Sequence, residues 1–278
     1  MQLILQVEIG IFFEIELHAC TTLMLIGGHP ISYYQIEANK MKRFLIMLIG
    51  IVVFFGITNA ENEARFMKYP DIKGDKIVFS YEGDLWLTTV EGGVARRITS
   101  APGIENTPKF SPDGKWIAFS GNYDGSTNVY VIPTEGGEPA RVTYQPGSPQ
   151  VVCWTPDGER IVYRSLVENY IGRDPNLYFV NKNGSVPERL PIDRGRLCSF
   201  SSDGKKMLYQ RKGNEENYWK RYKGGQYPDI WMYDFTTAAF TPISEYVGKN
   251  GYPMWIGDMM YFVSDRTNGV SNLSLIHI

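Results

Sequence analysis

The sequence predicts an all-β protein, a β-propeller of four-stranded antiparallel blades with about five of six blades present as an open arc. Three observations predict it. An aromatic residue recurs at Phe79, Phe119, Tyr163, Tyr209 and Phe262, at spacings of 40, 44, 46 and 53 residues. A turn precedes each one: Gly74-Asp75, Pro112-Asp113-Gly114, Pro156-Asp157-Gly158, Ser202-Asp203-Gly204 and Gly257-Asp258. An Asp or Asn, an aliphatic and an aromatic then follow, as Asp84-Leu85-Trp86, Asn128-Val129-Tyr130, Asn176-Leu177-Tyr178 and Asp229-Ile230-Trp231. A fifth copy begins at Asn272-Leu273 and continues with Ser274. A β-sandwich also has short strands and turns, but it has no reason to repeat two signatures in step.

The unit from Phe110 to Thr143 shows how one blade is written. Pro112-Asp113-Gly114 is a turn, in which proline pre-sets φ and glycine accepts the left-handed position. The run Lys115 to Gly121 alternates, with Ile117 and Phe119 on one face and Trp116 and Ala118 on the other. Asn128-Val129-Tyr130-Val131 supplies the third strand, after the Phe110 segment and this run. Gly136-Gly137 turns the chain into a fourth, Ala140 to Thr143. A sheet of this kind is covered on both faces by its neighbours, so the aromatics are expected to fill the space between blades. Trp86, Trp116, Tyr130 and Trp231 are therefore expected as core wedges rather than as platforms for a ligand.

The ends read differently. Residues 1–40 carry apolar runs without the repeat, and they are expected to be a leader from an over-extended reading frame. Met41-Lys42-Arg43, then the apolar run Phe44 to Ile57, then Thr58-Asn59-Ala60 form the three regions of a secretory signal peptide. Residues 41–60 are thus expected to be cleaved ahead of Glu61. The apolar run is shorter than the roughly 20 residues of a spanning helix, although an uncleaved anchor is the competing reading. Residues 61–273 carry the blades. Residues 274–278, "SLIHI", lack a polar turn and are expected to be an aberrant tail, so the sequence reads as a fragment that stops mid-blade.

Composition excludes little but orders the alternatives. The 278 residues are 43% hydrophobic and 21% charged with a formal net charge of −2, a balance that implies neither nucleic acid nor an anionic surface as partner. Cys20 lies in the leader, while Cys153 and Cys198 stand just before the turns of adjacent units and one position out of register. Two buried free thiols are expected there, with a disulfide as the alternative.

No catalytic, cofactor-binding or metal-binding residue is assigned. The three histidines are His18, His29 and His277, and none lies between residues 61 and 273, so no Ser-His-Asp or Cys-His arrangement can be assembled there. There is no Gly-x-Ser-x-Gly elbow, no phosphate-binding glycine loop and no Cys-x-x-Cys pair, and no cofactor is called for. Asp113, Asp157 and Asp203 have a ready role in the turns. One segment exceeds the needs of a blade: residues 211–231, "RKGNEENYWKRYKGGQYPDIW". It interleaves Lys212, Lys220, Arg221 and Lys223 with Tyr218, Trp219, Tyr222 and Tyr227. Such a loop can meet a peptide or a partner domain through cation–π contacts, or serve only as a solvated loop pinned by its aromatics.

"FSPDGKWIAF" resembles the repeat of TolB-like propellers. A longer set is narrower: "ARFMKYPDIKGDKIVFSYEGDLWLTTVEGGVARRIT", "SGNYDGSTNVYVIPTEGGEPARVTY", "NYWKRYKGG", "DIWMYD" and "PMWIGDMMYFVSDR" resemble the N-terminal six-bladed propeller of tricorn proteases. The resemblance runs from Ala64 to Leu273. It implies a large serine peptidase in which this propeller is followed by a second propeller, a PDZ domain and catalytic domains. The active serine and histidine of that family lie downstream of any matching position, so no catalytic residue is carried over. The absent sixth blade and the tail depart from the family. The expected function is a non-catalytic channel or gate for peptides and a scaffold for assembly, in an exported, periplasmic or secreted protein. Peptides or other domains of the same parent are its expected partners, with a homo-oligomer open and no stable membrane span after signal cleavage. The alternatives are a stand-alone TolB-like binding scaffold and the propeller of a prolyl-oligopeptidase-type hydrolase.

Overall fold

In every repeat the turn closes a hairpin and the second signature adds the next strand. The computed structural model describes residues 66–168, 174–213 and 222–277. The expected leader and signal peptide lie outside the described residues. Four sheets have four strands each. The first is β1 (Lys68–Lys73), β2 (Lys76–Tyr81), β3 (Asp84–Thr89) and β4 (Gly92–Arg97). The second is β5 (Glu105–Phe110), β6 (Trp116–Gly121), β7 (Asn128–Pro133) and β8 (Ala140–Arg141). The third is β9 (Gln150–Trp154), β10 (Arg160–Ser165), β11 (Asn176–Asn181) and β12 (Glu188–Arg189). The fourth is β13 (Leu197–Phe200), β14 (Lys206–Gln210), β15 (Ile230–Asp234) and β16 (Ala239–Pro242). The fifth, β17 (Asn250–Ile256), β18 (Met259–Thr267) and β19 (Val270–His277), has three strands among the described residues. All pairings are antiparallel between sequential strands. The five sheets are the blades of a β-propeller.

The register explains why the two signatures travel together. The second-strand aromatic stands opposite the third-strand aromatic in four blades: Phe79 faces Trp86, Phe119 faces Tyr130, Tyr163 faces Tyr178 and Tyr209 faces Trp231. In the fifth blade Phe262 faces Ser274. All five second-strand aromatics are at most 3% exposed. The turn glycines Gly74, Gly114, Gly158, Gly204 and Gly257 all adopt φ between +58° and +71°, the region that any side chain strains.

The first strands stand side by side in the series β1, β5, β9, β13, β17. The buried residues sort into one cluster per seam, to which the three inner blades each lend both faces and the first and fifth lend one. Val78, Leu85, Ile117 and Phe119 fill the seam between the first and second blades. Ala118, Val129, Val151 and Tyr163 fill the second, and Val162, Phe179, Cys198 and Tyr209 the third. Leu208, Ile230, Met260 and Phe262 make up the fourth. Adjacent residues on one strand, such as Val162 and Tyr163, thus serve opposite seams, as the period-2 alternation of a strand requires.

Two expectations are corrected. Residues 274–277 are not set apart from the blade: Ser274, Leu275, Ile276 and His277 continue β19, pairing with Phe262, Tyr261, Met260 and Met259. Backbone ladders need no aromatic, so the lost signature at Ser274 does not stop the pairing. Of the four aromatics expected as wedges, Tyr130 is buried and Trp86 and Trp231 are half-buried, but Trp116 is 37% exposed. Trp116 opens β6 beside the turn and faces Pro133, the last residue of β7. At that strand end the neighbouring blade no longer covers the sheet.

Candidate functional site

Three hydroxyl–carboxylate pairs repeat at the turns. Ser111 Oγ donates to Asp113 Oδ1 at 2.6 Å, Thr155 Oγ1 to Asp157 Oδ1 at 2.6 Å, and Ser201 Oγ to Asp203 Oδ1 at 2.6 Å. The same oxygens accept the backbone N–H of Lys115, Glu159 and Lys205. The hydroxyl bonds, then the backbone bonds, hold all three carboxyls below the usual carboxylate range. A carboxylate so stabilised is a weak base, and a general base works best with a pKa near the working pH. These pairs lock turns.

The second candidate is a cleft of about 430 Å³ on the seam between the third and fourth blades. Phe179, Phe200 and Phe235 line it, with ring centroids 6.1–6.4 Å apart, beside Arg160, Asp157 and Asp203. The Arg160 guanidinium lies 4.1 Å over the Phe179 ring, and its Nη1 is 3.8 Å from Glu188 Oε2. The cleft offers apolar area and one guanidinium, which suits contact with a side chain or carbonyl. Thr155 and Ser202 are the hydroxyls in its lining, and no histidine accompanies them.

The loop singled out in the sequence is rooted firmly. Arg211 Nη2 reaches Asp193 Oδ2 at 2.7 Å and its Nε reaches Oδ1 at 3.1 Å, a two-point clasp, while the guanidinium lies 5.2 Å from the Trp231 ring centroid. Burial pushes the Asp193 carboxyl up, but the hydrogen bonds and charge of Arg211 outweigh it and leave it below its ordinary value. Lys212 Nζ sits 4.7 Å over the Tyr227 ring and 3.9 Å from Asp229 Oδ2. Tyr222 and Tyr227 are half-buried and Lys223 is exposed. Tyr218, Trp219, Lys220 and Arg221 lie outside the described residues. The Lys212 contact lies within the loop and pins it to its own aromatic, as in the second of the two readings of this segment.

A buried polar chain was not foreseen in the sequence. Thr99 Oγ1 accepts the Leu85 N–H at 2.8 Å and donates to Glu105 Oε2 at 2.5 Å, joining the first blade to the second. Glu105 is 1% exposed, and burial pushes its carboxyl up. Thr143 Oγ1 likewise accepts the Val129 N–H, but it donates to Asn128 Oδ1 within its own blade, so the hydroxyl's bond to the third strand is the part that repeats. Its signal was the hydroxyl 14 residues after the aliphatic of the third-strand signature, as in Leu85 and Thr99. Among the described residues no group of three or more His, Cys, Asp or Glu could hold a metal ion.

Comparison with known proteins places this fold. The family model described as the tricorn protease N-terminal beta propeller domain matches residues 64–276. A tricorn protease homolog of Saccharolobus solfataricus is 32% identical over 273 residues, covering 87% of this chain and 23% of its own length. The crystal structure of the tricorn protease superposes with a TM-score of 0.67 at 27% identity, covering 77% of this chain and 22% of that one. The Tol-Pal system protein TolB of Francisella tularensis subsp. holarctica is 31% identical over 228 residues, covering 78% of this chain and 47% of its own. The chain therefore spans less than a quarter of these tricorn relatives and about half of TolB.

Proposed function

The chain belongs to the tricorn protease N-terminal β-propeller family, and on that premise we propose that it is the non-catalytic propeller portion of an exported tricorn-like serine protease. In this reading the blades form a channel or gate that admits peptides by size, and their rims help assemble the catalytic parts. The observation that carries it is the family match over residues 64–276, which coincides with the five blades. The repeated carboxylates support it from the other side, since their chemistry is spent on turns.

The test uses the parent protein. Hydrolysis of short peptides and of long unstructured peptides is measured before and after deletion of residues 61–273. The proposal expects the short peptides to be cleaved in both and discrimination by length to be lost in the deletion. Unchanged discrimination, or peptide hydrolysis by the 278-residue chain alone, would refute it. The 31% identity with TolB favours one competing reading, a binding scaffold without an enzymatic parent. A coding frame that contains no peptidase domain beyond Ile278 would select that reading.

A further inference from the structure

The seam between the third and fourth blades is fastened unlike its neighbours. Opposite the third residue of each second strand stand Asp71, Lys109, Cys153, Ser199 and Met254 in the five blades. At the first seam this position joins the blades through Lys109 Nζ and Asp71 Oδ1 at 2.8 Å. At the fourth, Ser199 Oγ accepts the Trp255 N–H at 2.9 Å. At the third, Cys153 Sγ faces Cys198 Sγ at 3.4 Å. The two cysteines are one register position apart, Cys153 opposite Val162 and Cys198 opposite Tyr209, yet the sulfurs meet. Both are free thiols, and they differ in access: Cys153 is half-buried and Cys198 is buried.

We infer that Cys153 and Cys198 are a modification site, a dithiol that closes to a reversible disulfide across this seam on meeting an external disulfide of the glutathione type. The Cys153 thiolate attacks one sulfur of the external disulfide, forming a mixed disulfide and releasing one thiolate. Cys198 then gives up its proton and attacks Cys153 Sγ, forming the internal bond and releasing the second thiolate. Two electrons pass from the cysteine pair to the external disulfide, which leaves as two thiols. The order follows from access, since Cys198 is enclosed. Burial holds its thiol well above the ordinary value, so its step relies on the short approach rather than on ionisation. The sulfurs need to close by only a little more than about 1 Å to reach the bonding distance of about 2 Å.

The test is made on the full chain carrying Cys20→Ser. After incubation with oxidised glutathione and then alkylation under denaturing conditions, the chain should have lost two hydrogens and taken up no alkylating agent. Its peptide map should show residues 153 and 198 linked, and dithiothreitol should restore both thiols. Cys198→Ser should trap one glutathione on Cys153, while Cys153→Ser should leave Cys198 unmodified in the native chain. Two alkylatable cysteines after oxidation, or no trapped glutathione in Cys198→Ser, would overturn the inference. The wild-type map decides the matter even where a variant fails to fold.

Discussion

Replacing Tyr163 by alanine is the sharpest test of how this molecule is held together. Its ring is fully buried, stacked on Tyr178 with centroids 5.4 Å apart and planes 18° apart, in the cluster between the second and third blades. Its hydroxyl donates to Gln145 Oε1 at 3.1 Å. Truncating a buried aromatic to alanine costs about 3–5 kcal/mol, because the lost transfer energy is joined by the cavity left behind. A domain is stable by only about 5–15 kcal/mol in all, so one such change takes a large share. Tyr163→Phe keeps the ring and removes one hydrogen bond, at about 1 kcal/mol. Trp116→Ala is the control, with an expected loss of about 1 kcal/mol or less because the side chain is already 37% exposed. Urea unfolding followed by far-ultraviolet circular dichroism gives each difference from midpoint and slope. Equal losses for Tyr163→Ala and Trp116→Ala would refute the assignment of stability to the seams.

The remaining predictions are smaller. Asp157→Asn should cost about 1 kcal/mol or less at neutral pH, since the turn is partly screened by solvent. The Asp157 carboxyl is held below its ordinary value, so its contribution is present above about pH 4 and fades as pH falls through the folded value. The gap between wild type and variant should therefore shrink in acid, and a gap that widens would contradict this. Gly158→Ala should cost about 1 kcal/mol through its φ of +71° alone, because the added Cβ lies 3.6 Å from the Pro112 ring, an ordinary contact. Gly158→Asn should cost less, and thermal melts of both variants check the order. Expressed from Met41 in an exporting host, the chain should begin at Glu61; N-terminal sequencing that finds Phe44 to Ile57 retained would replace cleavage by anchoring.

The sequence carried the blades because two of its signals are consequences of one contact. Phe119 faces Tyr130 across adjacent strands, and the same holds for Tyr163 and Tyr178. A pairing of that kind forces its two members to recur at one period. The exposure of Trp116 was not legible because strand alternation says which face a residue shares, not where along the blade the neighbour ends. The meeting of Cys153 and Cys198 was hidden for a related reason. Register within a sheet says little about the offset between sheets, so a one-position mismatch did not exclude contact. The Thr99–Glu105 chain was written in residues that also occur in ordinary loops, and only the recurrence of its threonine at Thr143, bonded to the third strand in the same way, marks the hydroxyl as part of the repeat. The function of the 211–231 loop was illegible from spacing alone; the structure shows Arg211 and Lys212 engaged by Asp193 and Tyr227 at its root.

Because each of the three inner sheets lends one face to the seam before it and the other to the seam after, the blades are coupled only to nearest neighbours. Such a chain behaves like a row of linked spins, in which stability is a sum of unit and interface terms and melting starts where an interface is weakest. The fourth seam rests on Leu208, Ile230, Met260 and Phe262, with Met232, Ile243, Trp255 and Ile276 only partly enclosed around them. The third seam has ten buried members. Amide hydrogens of β18 should accordingly exchange before those of β10, and the opening that releases them should leave the third blade protected. In this molecule, fraying has an address.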